Sequence, residues 1–349
     1  MRRNFALDGF RALAIMMVFS GHTVSSFGAT PLLAPIQFGG TGVDLFFVLS
    51  GWLIGNQLFT EYAKYGNIDI SRFWIRRWMR TMPAYYAVLF VTIAQQYLTK
   101  ANFSFPWAHL LFVQNYQVDL SLFYVSWSLS VEEQFYLFIA PLALLCLNLS
   151  RPFQFGVFLT LLISPFCFRN LELYQTLRET HVRLDCCAMG VFLAYLKHRL
   201  PLYWPKVLKL CKAIFPLAVV IYLFFYVARY NPQWGISEPD KLILALVFGC
   251  WITWTDTTSF EVTKLWQKLV MFISTRSYAM YLLHVDALVV TKRLLSEHNF
   301  VIYYTAAFLI TLLLSEILYR LIEIPFINAR KYFRFSMSRG KVERQIACQ

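Results

Sequence analysis

Runs of roughly twenty apolar residues recur along this chain, at about 11–28, 41–59, 83–99, 130–148, 153–168, 184–197, 213–229, 241–255, 268–290 and 301–321. A run of that length is what a helix needs to cross a bilayer. Lipid offers no water to satisfy the backbone's polar groups, so a chain built from such runs has few options besides helices. The spacing predicts an all-α polytopic membrane protein with about ten transmembrane helices. The stretch 104–117 is apolar but short, and Pro106 and Asn115 interrupt it, so it reads as one short re-entrant or interfacial segment. A membrane domain over 1–323 and a basic tail over 324–349 account for the whole chain.

With 58% of 349 residues hydrophobic, little chain remains for a separate soluble domain. The net charge of +13 invites a nucleic-acid partner, but the distribution of the charge excludes one. Lysine and arginine crowd 2–11, 64–80, 197–212, 264–268 and 330–344, while the alternate connections hold few. By the positive-inside bias these crowded segments are cytoplasmic, and so are both termini. The seven cysteines lie mostly in apolar runs with neither C-x-x-C nor metal-ligand spacing, and read as small hydrophobes. The basic start leads into the first apolar run with no small-residue cleavage site, so that helix is expected to be retained.

Charges inside lipid are costly and usually have partners or a task. The first run carries three ionisable groups: Asp8, Arg11 and His22. Arg11 and His22 are eleven residues apart, three helical turns or about 16 Å, so they share one face with Asp8 nearly in line. The alternative is an interfacial cap at His22 and an Arg11 that snorkels to headgroups. The second run opens with Asp44 and contains Gly51-x-x-x-Gly55, a spacing that lets another helix approach closely. Before Pro83, arginines 72, 76, 77 and 80 alternate with tryptophans. They serve either as lipid anchors or as a bidentate grip on phosphates. Ser130-x-x-Glu133 has the form of a capping box, yet Glu132 and Glu133 side by side in an apolar run are costly decoration. Arg183 and Asp185 open the sixth run, and Asp185 has the alternative of complementing a helix N-terminus. Ser277, Tyr281 and His284 share one face of the ninth, and Pro325 marks the stop of the last. In the predicted topology His22, Asp44, Glu132, Glu133, Asp185 and His284 fall in the outer half of the bilayer and the arginines at the inner mouth. That division implies a charged donor entering from inside and chemistry near the outside.

Leu7-Asp8-Gly9-Phe10-Arg11 with His22, the run Gly42–Gly51, Arg77-x-x-Arg80, Trp127–Tyr136 and Ser277-Tyr278-x-x-Tyr281-x-x-His284 together resemble the acyltransferase-3 family of integral-membrane O-acyltransferases. The resemblance extends from the N-terminus to about Glu323. It implies a catalytic role for His22 and an acyl-CoA-binding role for Arg11, Arg77 and Arg80.

The expected reaction is transfer of an acyl group, acetyl above all, from acyl-CoA as co-substrate to a hydroxyl of a carbohydrate or lipid-linked sugar at the outer side. A bacterial inner membrane is the expected location, with membrane lipids as neighbours and neither a tightly bound cofactor nor a metal. An alcohol needs a base to take its proton, and His22 has the right basicity. Asp44 or Glu133 is expected to orient it. Ser128, Tyr281, His284, Arg183 and Asp185 are candidates for stabilising the oxyanion or holding the acceptor. The competing reading is a proton-coupled transporter of a small anionic or sugar-like solute, relayed by His22, Glu133 and His284.

The topology makes a direct prediction. Cysteines introduced at Ala34 and Ser237 react with impermeant reagents from outside, and one at Gln349 only from inside; outside labelling at Gln349 overturns the ten-helix reading.

Overall fold

A computed structural model describes residues 4–333, apart from 100, 102, 121, 232, 256, 257, 259–261, 296 and 297. The basic tail from Arg334 onward and the first three residues lie outside the described residues, and with them the placement of both termini.

The described residues are helical or irregular, with no strand among them. In chain order the helices are α1 (Phe5–Phe27), α2 (Gly42–Tyr65), α3 (Ile70–Thr99), the single turn α4 (Trp107–Leu110), α5 (Ser126–Leu147), α6 (Arg151–Asn170), α7 (Asp185–Arg199), α8 (Trp204–Ala228), α9 (Lys241–Thr255), α10 (Lys264–Leu295), α11 (Phe300–Leu318) and the short α12 (Ile324–Ala329). Each of the ten apolar runs overlaps one of the helices of fifteen residues or more and passes its ends by three residues at most. Five helical stretches are long and apolar enough to cross a membrane by length and composition: Ala34–Tyr65, Ser126–Leu147, Arg151–Asn170, Trp204–Ala228 and Phe300–Tyr332. Residues 104–117 form α4 and a 3-10 turn at Gln114–Tyr116, held by Tyr85 Oη donating to His109 O at 2.8 Å and Tyr86 Oη donating to Leu110 O at 2.9 Å.

Two helix pairs set the interior. A Cβ built on Gly51 of α2 would lie 2.0 Å from the Cys187 carbonyl oxygen of α7, and one on Gly190 of α7 would lie 2.2 Å from that of Val48. The bare glycine backbones are what let these helices touch. Gly51 faces Cys187 and Gly55 faces Val191 and Ala194, so the two helices run parallel. The second pair is α1 and α10, also parallel: Asp8, in the first turn of α1, meets Ser274, and His22 meets His284 further along both helices.

Two expectations are corrected. Helix α5 begins at Ser126, not at Ser130, and no side chain caps it. Ser130 Oγ donates instead to the carbonyl of Ser126 four residues back, so the Ser130–Glu133 capping box does not form. Burial of Ser126 and Ser128 against neighbouring helices carries the helix one turn further toward the N-terminus than the pattern suggests. Pro325 does not stop the last helix either. A π turn at Tyr319–Glu323 leads into α12, where Pro325 occupies the first turn, the one place a helix does not need the missing N–H. The chain then packs back on α3 through a 3-10 turn at Arg330–Phe333.

The glycine contacts separate packing from propensity. Gly51→Ala drives a methyl into the α7 backbone and costs about 1–3 kcal/mol. Gly156→Ala on α6 meets no atom within 4 Å and is neutral or stabilising by about 0.5–1 kcal/mol. Thermal unfolding of both variants in one detergent measures the contrast, and equal melting temperatures contradict it.

Candidate active site

A cavity of about 760 Å³, counting its open mouth, lies among α1, α2, α3, α5 and α10. Arg11, Arg77 and Arg80 line one part of it, Ser128 and Tyr281 another, and Glu132 its wall. Helix α10 gives the scale: Ser274, beside Arg11's partner, and Tyr281 are seven residues apart, about 10 Å along the axis.

The arginines are held in different ways. Arg11 Nη1 donates to Asp8 Oδ1 at 3.0 Å, and that buried carboxylate also accepts from Ser274 Oγ at 2.8 Å. Arg77 lies over the Tyr136 ring at 5.2 Å. Tyr136 is fixed by its hydroxyl 2.7 Å from Ser50 Oγ and by Trp74 Nε1 donating to its carbonyl at 3.1 Å. One residue past Arg80, Thr81 Oγ1 donates to Glu133 Oε1 at 2.6 Å, and the Thr81 carbonyl accepts from Tyr278 Oη at 2.8 Å. These bonds join α3 to α5 and α10 where the arginines enter the cavity.

At the Ser128 end, Ser128 Oγ and Tyr281 Oη are 2.5 Å apart, and both reach the Val125 carbonyl, at 3.2 and 3.0 Å. One turn further along α10, His284 is fully buried. Its Nδ1 sits 2.8 Å from the Tyr281 carbonyl and 3.2 Å from that of Met280. Carbonyls only accept, so this nitrogen carries the hydrogen, and the Nε2 of neutral His284 is left as an acceptor. His22 Nδ1 lies 2.7 Å from that Nε2, with the rings stacked at a 5.0 Å centroid separation. His22 Nδ1 must therefore donate, and the lone pair of His22 falls on Nε2. A backbone carbonyl thus fixes, through His284, which nitrogen of His22 is basic.

Neither acid expected to orient His22 is placed to do so. Glu133 is bonded to Thr81 at the arginine level, because a helix starting at Ser126 puts it seven residues, about 10 Å, down from the end. Asp44 takes part in an ion network instead. Arg183 Nη2 donates to it at 2.7 Å and Lys241 Nζ is 3.7 Å away. Asp185 pairs with Arg169 at 2.7 Å, and Arg169 reaches Asp240 at 2.6 Å. Arg183 also lies over the Trp127 ring at 5.0 Å. The network ties the starts of α2, α7 and α9 to the end of α6, so Arg183 and Asp185 belong to it together with Asp44. Burial forces such pairing, since an unpaired charge there costs several kcal/mol. Arg169, Asp240 and Lys241 escaped the sequence reading; the available signal was a base closing one apolar run while acids open two others.

The arrangement joins cationic groups suited to a polyanion, a pair of hydroxyls and a tautomer-fixed imidazole within one group of helices. The acyltransferase-domain family profile matches residues 4–320. The peptidoglycan O-acetyltransferase OatA of Listeria monocytogenes is 28% identical over 379 residues, covering 94% of this chain and 57% of that protein. The O-acetyltransferase OatA of Staphylococcus aureus (strain NCTC 8325 / PS 47) is 28% identical over 349 residues, covering 91% of this chain and 56% of that one. A provisionally named O-acetyltransferase of S. aureus strain MSSA476 is 28% identical over 355 residues, covering 93% and 58%. The chain thus spans less than two thirds of the length of the curated relatives it matches. No solved structure matches it significantly.

Proposed function

The chain belongs to the acyltransferase-3 family, and from that membership we propose that it transfers an acetyl group from acetyl-CoA to a hydroxyl of a glycan at the outer side of a bacterial cytoplasmic membrane. The observation that carries the reading is the single cavity with Arg11, Arg77 and Arg80 in one part and Ser128 and Tyr281 in another, the histidine pair standing one turn beyond Tyr281. Guanidinium groups suit phosphates because their fork matches two oxygens at once. A glycan acceptor follows from the peptidoglycan named for the Listeria relative. Ten crossings with both termini cytoplasmic fit the parallel pairs: α1 and α10 would be the first and ninth crossings, α2 and α7 the second and sixth.

In this mechanism the donor's phosphates stay with the arginines, and the pantetheine arm runs along the cavity toward Ser128. His22 Nε2 takes the acceptor hydroxyl's proton as its oxygen attacks the thioester carbonyl carbon. The tetrahedral oxyanion is met by the hydroxyl of Tyr281 or Ser128. Collapse expels the thiolate, which recovers the proton from His22. His284 is a positioning residue: it holds the His22 Nδ1–H and accepts part of the imidazolium charge. Asp44, Arg183 and Asp185 act by fixing the outer ends of α2 and α7.

Membrane vesicles given labelled acetyl-CoA and a glycan acceptor test the reading. Wild-type protein labels the glycan, and His22→Ala lowers kcat about 10²–10⁴-fold at normal abundance, the usual contribution of a general base. Arg77→Gln with Arg80→Gln raises the donor KM, charge-assisted contacts being worth about 1.5–3 kcal/mol each. Solute uptake without acetyl-CoA-dependent labelling favours the transporter instead. Full activity in His22→Asn removes the catalytic assignment.

A further inference from the structure

The chain after Pro325 brings a residue beyond the last long helix back to α3, which carries the arginine cluster. Arg330 opens the 3-10 turn that packs on α3, and its Nε and Nη2 are buried with no hydrogen-bond partner among the described residues. Arg80, Arg76 and Arg77 all act on it electrostatically, Arg80 most strongly. No described acid lies within ion-pair distance of Arg76, Arg80 or Arg330. Glu323, seven residues before Arg330, reaches Arg80 only through space, and its Oε1 is itself buried without a bond. Arg11, Arg77 and Arg80 line the cavity, whereas Arg330 and exposed Arg76 stand outside its lining.

Guanidinium groups gathered with so few acids repel one another, and buried donors left unbonded cost about 1–3 kcal/mol each. An anion relieves both. The cavity-lining pair Arg77 and Arg80 suits the phosphates nearest the reactive arm, which leaves Arg76 and Arg330 for an anionic group further from it. We infer that Arg330 and Arg76, with Arg80 shared, form a second anion subsite that binds the terminal phosphomonoester of a nucleotide thioester donor, the 3′-phosphate in acetyl-CoA. This inference rests on the acyl-CoA reading above and adds a specificity: the enzyme distinguishes a donor with that phosphate from one without it. The same chemistry is offered by phospholipid headgroups of the inner leaflet, and the test separates the two sources.

Wild-type, Arg330→Gln and Arg330→Lys proteins are reconstituted into vesicles of neutral lipid and of lipid containing anionic phosphatidylglycerol. KM is measured for acetyl-CoA and for acetyl-3′-dephospho-CoA. For wild type the dephospho donor has a KM about tenfold higher, corresponding to one lost charge-assisted contact. In Arg330→Gln the ratio of the two KM values falls to near one, with Arg330→Lys between, in both lipids. Arg76→Gln on the exposed face of α3 gives the same narrowing and serves if the Arg330 variants do not accumulate. A ratio unchanged by these substitutions, or already near one in wild type, overturns the subsite. A KM effect that vanishes in neutral lipid assigns Arg330 to headgroups and overturns it equally. If wild type transfers from neither donor, it is the acyl-CoA reading that has failed.

Discussion

Everything in this chain depends on the cost of placing charge among apolar helices. An ionisable side chain in such surroundings is retained only where a partner or a ligand offsets its desolvation. Two ion-pair solutions are visible. Asp44, Asp185 and Asp240 meet Arg183, Arg169 and Lys241 in a mutual network that closes one end of the bundle. Asp8 is bonded to Arg11 and Ser274 and binds α1 to α10. Two arginines of α3 are the exception: Arg76 and Arg80, unlike Arg72, have no acid within ion-pair distance among the described residues, and in the proposed function that deficit suits them to a charged substrate.

The histidine pair solves the same problem without charge. A carboxylate beside His22 would stabilise its protonated form strongly, and at this burial would itself need compensation. His284 supplies orientation at lower cost, since its own tautomer is set by the backbone carbonyl of Tyr281. The same residue thus contributes a ring near the Ser128 hydroxyl and a carbonyl to the histidine relay. Any displacement of α10 against α1 disturbs both, so in the proposed mechanism the parallel packing of those helices bears on the chemistry.

Much of this was legible in the sequence because membrane helices are dictated by length and apolarity. The ten runs correspond to ten helices, and the 104–117 interruption, the Gly51-x-x-x-Gly55 approach and the polar face of α1 were all readable from spacing. What spacing could not supply was which polar group meets which across helices. Asp44, Glu133 and His284 all mapped to one predicted layer, and carboxylates were the conventional partners for a histidine. Only the register of α5, set by tertiary burial four residues before the apparent cap, moves Glu133 to Thr81. Pro325 looked like a stop because a proline's missing N–H matters in a helix interior; after a π turn it sits in a first turn instead, and the chain returns to α3.

In the proposed mechanism His284, through its backbone-fixed tautomer, makes His22 Nε2 the base. A double-mutant cycle on acetyl transfer tests it most directly, using His22→Ala, His284→Ala and the pair, with Asp44→Asn and Glu133→Gln each combined with His22→Ala for comparison. Removing both histidines should lower kcat little more than removing His22 alone, because His284 acts through it. Independent, additive losses at His22 and His284, with the non-additive coupling found at Asp44 or Glu133 instead, would contradict it.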